Sequence, residues 1–403
     1  MQRRYLYIAM GILVVIGGGM LVYFFFFAGS SAGIAVAPGD GTSFPTAGQG
    51  TNTPASNGSA NTTSAIGSPV AVSARLVKIS AGPVVPGEVV TNKKATSASS
   101  SPETTITFIA RESGNVFSYL TGAKILTRTS NKTVPGIQSA SWLPDASVAF
   151  VRYLSGENFG TINTYALPAN GSAGGGFFLS QNLADIAVSS TNVLTLASGV
   201  TGSTVSLTRT DGTRATAVFS TPLSSLRVSF AGAQYLAFTK PSSTLPGTAF
   251  LVDSAGRFSR VAGPRNGLVA LASPSGKWLL TSYTLGTAMQ MELVNTATGE
   301  TVPLPVATIA DKCVWAADDS VVYCGVPVSP PAASYPDDWY QGAAHFSDRI
   351  WKIQIAGRYA QLALDFPKEA EDSLDAIALA VDPANTTLVF VNKNDGSLWS
   401  YSL

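Results

Sequence analysis

The chain of 403 residues has little charge: Lys, Arg, Asp and Glu together make up 12%, and 25 basic residues nearly cancel 24 acidic ones. A net charge of +1 leaves no basic face for a nucleic acid, so none is expected as a partner. Histidine occurs once, at His345, and cysteine twice, at Cys313 and Cys324. With one imidazole and no elbow motif around any serine, a Ser-His-Asp hydrolase lacks its parts, as do most histidine-based metal sites. No cofactor and no metal is expected, and His345 is read as a structural residue. What the chain has instead is 38 Gly, 23 Pro and 45% hydrophobic residues, a composition that suits many short strands and turns around a large core.

The N-terminus reads as an export and anchoring device. Residues 1–4 carry Arg3 and Arg4 and form a cytoplasmic stub. Residues 5–27 are an uncharged apolar run whose length, at ~1.5 Å per residue, spans the ~30 Å hydrocarbon core of a bilayer. No basic residue follows until Arg75, so the positive-inside rule sends the rest across. The expectation is a single-pass membrane protein with an uncleaved signal anchor and an extracytoplasmic domain, periplasmic or on the cell surface. A signal peptide cleaved near Ala28-Gly29-Ser30 is the alternative. Residues 28–74, rich in Gly, Ser, Thr, Ala and Pro, read as a flexible tether that cannot bury enough apolar area to fold. The folded domain is placed at 75–403.

Within that domain one pattern recurs. SASWLPDASVAFVRY (139–153) is a strand closed by Trp142, a Pro/Asp turn and a second strand. Related hairpins stand at 270–283, 312–324 and 378–391, a spacing of roughly forty to sixty residues that matches a propeller blade. Continuous apolar runs at 148–151, 321–323 and 388–391 suit inner strands covered on both faces, whereas Met289-Gln290-Met291-Glu292-Leu293 alternates where one face meets water. The last blade supplies only three strands before the chain stops, and residues 75–80 stand unpartnered before the first. The fold class is therefore an all-β, seven-bladed β-propeller with N-terminal strand closure. Its first blade is expected to use strands near 83–90, 106–110, 116–120 and 124–129, with 91–103 as a polar insertion.

The turn Trp142-Leu143-Pro144-Asp145, followed by Val148-Ala149-Phe150, resembles the Trp-Ser-Pro-Asp-Gly repeat of TolB-like propellers, which are WD-repeat-like. KCVWAADDSVVYCGVP (312–327) with PDDWYQG (336–342) is also similar to predicted membrane-anchored bacterial propellers of unassigned function. The TolB-like resemblance implies a binding module with protein or peptide partners. It departs where Ser273-Pro274-Ser275-Gly276 lacks the Trp and Ala316-Ala317-Asp318-Asp319 lacks the Pro.

Cys313 and Cys324 flank Asp318-Asp319 symmetrically, so a regular hairpin sets them opposite each other within disulfide reach; two free buried thiols are the alternative. The longest insertion, 327–347, joins the second and third strands of the sixth blade, on the rim shared with the blade-to-blade connections. Tyr335, Trp339 and Tyr340 there offer amphipathic contact area, and Asp337, Asp338 and Asp348 offer acceptors for a peptide, a glycan or a cation. Glu157 belongs to a loop on the same rim. The other reading is that the insertion packs over its own blade, with Trp339 plugging a gap and the aspartates capping turns. The function expected is a non-catalytic binding or scaffolding module of the cell envelope, not an enzyme. Alternatives are a carboxylate-dependent carbohydrate-active hydrolase and a purely architectural surface protein.

Overall fold

The computed structural model describes residues 66–93, 103–171 and 175–403. The expected membrane helix and most of the tether lie outside them; no helix among the described residues is long and apolar enough to cross a membrane.

Seven antiparallel sheets form the propeller. Blades 1 to 6 are four-stranded meanders spanning 89–128, 137–178, 183–221, 226–266, 269–303 and 313–365. Blade 7 takes Ala376–Val381, Thr387–Asn392 and Leu398–Ser402 from the C-terminus. Strand β2 (Leu76–Ser80) completes it, pairing Leu76 with Tyr401, Val77 with Ser400 and Lys78 with Trp399. The expected clasp is present, and a further short strand, β1 (Val70–Ala71), adds to its outer edge. Closure removes the two edges that an open ring would leave unpaired.

Two expectations need correction. The fold begins before residue 75: Ile66, placed in the tether, is 2% exposed and packs with Ile79, Val84 and Leu398. In blade 1 the first strand is Val89–Lys93, pairing with Glu103–Ile109, so both ends of the supposed polar insertion are strand. The apolar stretch from Pro83 makes only an isolated bridge, Val84 to Ala110, because it threads between the closing blade and blade 1.

The recurring hairpin has one backbone frame. In each, the amide of the first turn residue donates to a carbonyl five positions on, and the amide of the fourth donates back to the first: Leu143 and Ala146, Ser273 and Gly276, Ala316 and Asp319, Asp382 and Asn385. The fourth residue takes a positive φ, between 57° and 75°, which explains why Gly, Asn and Asp fill it and makes Ala146 the strained member. Trp142 donates its indole N–H to the Gly87 carbonyl at 2.8 Å, and Trp315 donates to Leu271 at 3.3 Å. In the two repeats that carry it, the tryptophan ties its blade to the chain of the one before.

Cys313 and Cys324 are register partners joined by a disulfide, at a Cα separation of 4.1 Å. The bridge crosses the first two strands of blade 6, next to the strand that launches the insertion.

Candidate functional site

The insertion folds back onto the propeller rather than into solvent. Its short helix Asp337–Tyr340 sets Trp339 over blades 6 and 7, where the indole N–H donates to Asp375 at 3.0 Å and the ring stacks on Phe346. Beneath it lies Lys312, 0% exposed, with its ammonium 2.8 Å from Asp348 and also paired with Asp375, both fully buried. Lys312 faces the Trp339 and Phe346 rings at 5.0 and 5.1 Å, and Lys393 covers Trp339 from blade 7 at 4.4 Å while bonding its carbonyl. One carboxylate neutralises the buried ammonium, and the second is held beside it. Burial, together with the neighbouring Asp375, pushes the Asp348 carboxyl up to about 6 even though Lys312 pulls it down.

A second chain of charges runs along the same rim. Tyr340 donates to Asp311 at 2.6 Å, and Arg227 of blade 4 reaches the same oxygen at 2.6 Å. Burial alone would lower the Arg227 guanidinium, but Asp311 outweighs it and holds the charge on. Asp185 of blade 3 accepts the Val228 amide at 2.9 Å, and burial raises its carboxyl despite Arg227 and Arg152 nearby.

The candidate residues thus divide. Tyr335, Asp337, Asp338, Trp339, Tyr340 and Asp348 come together, but mostly through contacts within the protein. Asp337 accepts the Ser243 amide and hydroxyl of blade 4 at 2.9 and 2.6 Å, and Asp338 accepts the Ser334 amide at 2.7 Å. Tyr335 is buried and bonds the Pro331 carbonyl. The insertion is a strap held across blades 4, 6 and 7, reaching further than a loop laid on its own blade. Glu157 is exposed in a short 3-10 turn of blade 2, three blades away around the ring, and does not join the group. His345 is exposed within the strap.

Sequence reasoning missed Lys312, Asp375, Asp185, Arg227 and Glu88. Each stands at or just before the innermost strand of its blade, a positional repeat that was readable once the blades were aligned. Glu88 is the least compensated. Both carboxylate oxygens are buried without a hydrogen-bond partner among the described residues, and burial raises the group from 4.5 to about 8, the amides of Glu88 and Gly87 pulling it back only in part. The folded protein therefore holds a proton there that the unfolded chain releases above 4.5, so stability falls as pH rises from 4.5 to 8 and stays low above it. Glu88→Gln is expected to flatten that fall and to stabilise the protein at pH 9 by on the order of 2–4 kcal/mol, measured by denaturant midpoints across pH.

A cavity of about 420 Å³ lies beside the strap between blades 5 and 6, lined by Met289, Val306, Val326, Pro330, Tyr335 and Trp351 with Arg349 at its edge. Arg349 is already paired with Asp365 at 3.1 Å.

Among the described residues no three His, Cys, Asp or Glu side chains come together in a way that could hold a metal ion. No protein-family model matches the chain, and no curated protein is similar to it in sequence. Solved structures do share its fold. They include an oligogalacturonate lyase in complex with manganese, at a TM-score of 0.51 and 10% identity over 79% of this chain and 98% of that one. The oligogalacturonate lyase of Vibrio parahaemolyticus is similar at a TM-score of 0.51 and 9% identity, over 81% and 93%. The hydrazine synthase of Kuenenia stuttgartiensis is similar at 0.50 and 13%, over 79% and 96%. At these identities the likeness is one of fold. It overturns the expectation that the chain is not an enzyme, because that expectation leaned on the propeller being a binding scaffold and this architecture carries lyases. The donor cluster that a resident manganese would require has no counterpart among the described residues.

Proposed function

We propose that the chain is a membrane-anchored, extracytoplasmic propeller that binds an extended peptide segment of a partner protein in the groove between blades 5 and 6. The observation that carries this reading is the groove itself, walled by Trp351, Met289, Val306 and prolines, with Tyr335 of the strap on one side. Such a surface suits an aliphatic or proline side chain of an extended segment, with specificity from shape. The apolar run 5–27 and the TolB-like turn 142–145 support the anchor and the partner class. Selection of a displayed random peptide library on the full-length chain tests it. Selected peptides are expected to converge on one apolar anchor and to bind Met289→Asp and Val306→Asp at least about tenfold more weakly, compared at a temperature below each variant's thermal midpoint because both side chains also pack on the core. Peptides that bind both variants like the parent, or no convergence, would remove the groove from the argument.

A second reading, cleavage of a polysaccharide, draws on the two lyases that share the fold. Incubating the chain with oligogalacturonate and following the absorbance of unsaturated products tests it directly.

A further inference from the structure

A different cleft opens between blades 2 and 3, opposite blade 6 in the ring of seven. Its origin is in the alternation of blade 3. Val205 points into the apolar cluster with Leu194, Leu196, Leu226 and Ala237 that joins blade 3 to blade 4. The intervening Thr204, Ser206 and Thr208 therefore face blade 2, as do their cross-strand partners Ala197, Thr195 and Val193. Only the inner end of this face is covered by apolar contacts, from Phe150, Ala166, Leu183 and Val193. Blade 2 cannot cover the rest, because its outermost strand is only Phe177–Phe178.

The result is a cavity of about 280 Å³ whose wall is a row of hydroxyls and whose lining contains no ionisable side chain. Thr195 donates to the Ser206 carbonyl at 3.2 Å, and Thr204 and Ser220 share a hydrogen bond at 3.1 Å. The Ser206 and Thr208 hydroxyls have no partner among the described residues, although Thr208 is only 5% exposed. Opposite them stands Phe178, 60% exposed, its ring propped against Tyr165 at 4.9 Å. Gln181 closes one end, donating one amide hydrogen to Asn163 at 3.2 Å.

We infer that this inter-blade cleft is a binding site for an uncharged saccharide. Each alternative chemistry meets a specific obstacle. An apolar ligand would cover Ser206 and Thr208 without supplying partners, which costs the desolvation of both hydroxyls. An anion or cation finds no countercharge in the lining. An added peptide strand needs an open edge, but this wall is a sheet face whose strands are paired on both sides. A sugar ring supplies hydroxyls for Ser206, Thr208 and Gln181 and an apolar face for Phe178.

The experiment is saturation-transfer NMR on the full-length chain with cellobiose and N,N′-diacetylchitobiose as neutral probes and digalacturonate as the anionic counterpart. Transfer to a neutral disaccharide is expected, with little to digalacturonate. It should fall about fivefold or more in Phe178→Ala, which removes only an exposed ring, and in Thr208→Val, which keeps the shape and deletes the hydroxyl. Thr208→Val should keep the thermal midpoint, since that hydroxyl bonds no other group among the described residues. No transfer to either neutral probe, transfer equal for digalacturonate, or a signal undiminished in both cleft variants would each overturn the assignment.

Discussion

Lys312→Met is expected to cost about 3–5 kcal/mol of unfolding free energy at pH 7, far more than its single positive charge on a chain of this size would suggest. The lysine is fully buried, and what it leaves behind are two buried carboxylates, Asp348 and Asp375, with no other ammonium as close. The Trp339 indole, the Phe346 amide and the Ala376 amide donate to them, but none carries a charge. Asp348 already lies at about 6 with Lys312 present, above its ordinary 3.8, so its contribution to stability falls as pH rises from 3.8 to 6. Removing the lysine takes away the one charge that pulls the Asp348 carboxyl down and drives it further up. The deficit of the variant should thus be largest at pH 7 and above, and should shrink toward pH 4, where Asp348 holds its proton in the folded state with or without the lysine. Urea midpoints at the two pH values measure it. Limited proteolysis adds an independent readout, because Trp339 rests on the Lys312 ammonium and the strap 328–347 should be cut sooner. A deficit below about 1 kcal/mol, or one independent of pH, would mean that the three groups do not act as a unit.

The pairing of Lys312 with Asp375 shows where sequence reasoning stops. Most of the fold was legible because its signals are local: the Pro/Asp turn of 139–153, the unbroken apolar run of 388–391, and the symmetry of Cys313 and Cys324 about one turn. Each depends on residues that meet within a single hairpin. The charges at the innermost strands meet instead through ring geometry, Arg227 reaching Asp311 from two blades away and Lys312 joining Asp348 to Asp375 across blades 6 and 7. Nothing in the spacing of these residues encodes that meeting. The same limit explains the aspartates of the strap. Asp337 and Asp338 looked like free acceptors because their partners, Ser243 on another blade and Ser334 four residues back, are amide and hydroxyl groups that any loop contains. The hydroxyl face of blade 3 was visible as the alternation of 203–208, but that it stays uncovered depends on how short the last strand of blade 2 turns out to be.

Deleting residues 1–81 is expected to abolish cooperative folding, whereas deleting 1–61 should leave the denaturant midpoint nearly unchanged. The two truncations differ by twenty residues of modest composition, yet those residues hold the ring shut. Leu76 and Ile79 are fully buried and Ile66 almost so, in two clusters that also contain Trp399, Tyr401, Val391 and Leu398. At about 1.5–3 kcal/mol for each large side chain returned to water, the three together approach the entire stability of a typical domain. Arg75 adds its guanidinium against the Ser402 carbonyl at 2.7 Å and over the Tyr401 ring, and Lys78 lies over Trp399. Beyond the lost burial, the strand Leu398–Ser402 would present an unpaired apolar edge, which recruits other chains. The longer deletion should therefore appear as aggregate or as a species with no sharp transition. A synthetic peptide of residues 66–82, added in excess, should restore the transition by re-forming the fourth strand. Leu76→Asp makes the same point without truncation, since it buries an unpaired charge against Tyr401 and should lower the midpoint steeply. If the 82–403 chain instead unfolds cooperatively at the midpoint of the intact protein, blade 7 is stable with three strands and the N-terminal segment only decorates it.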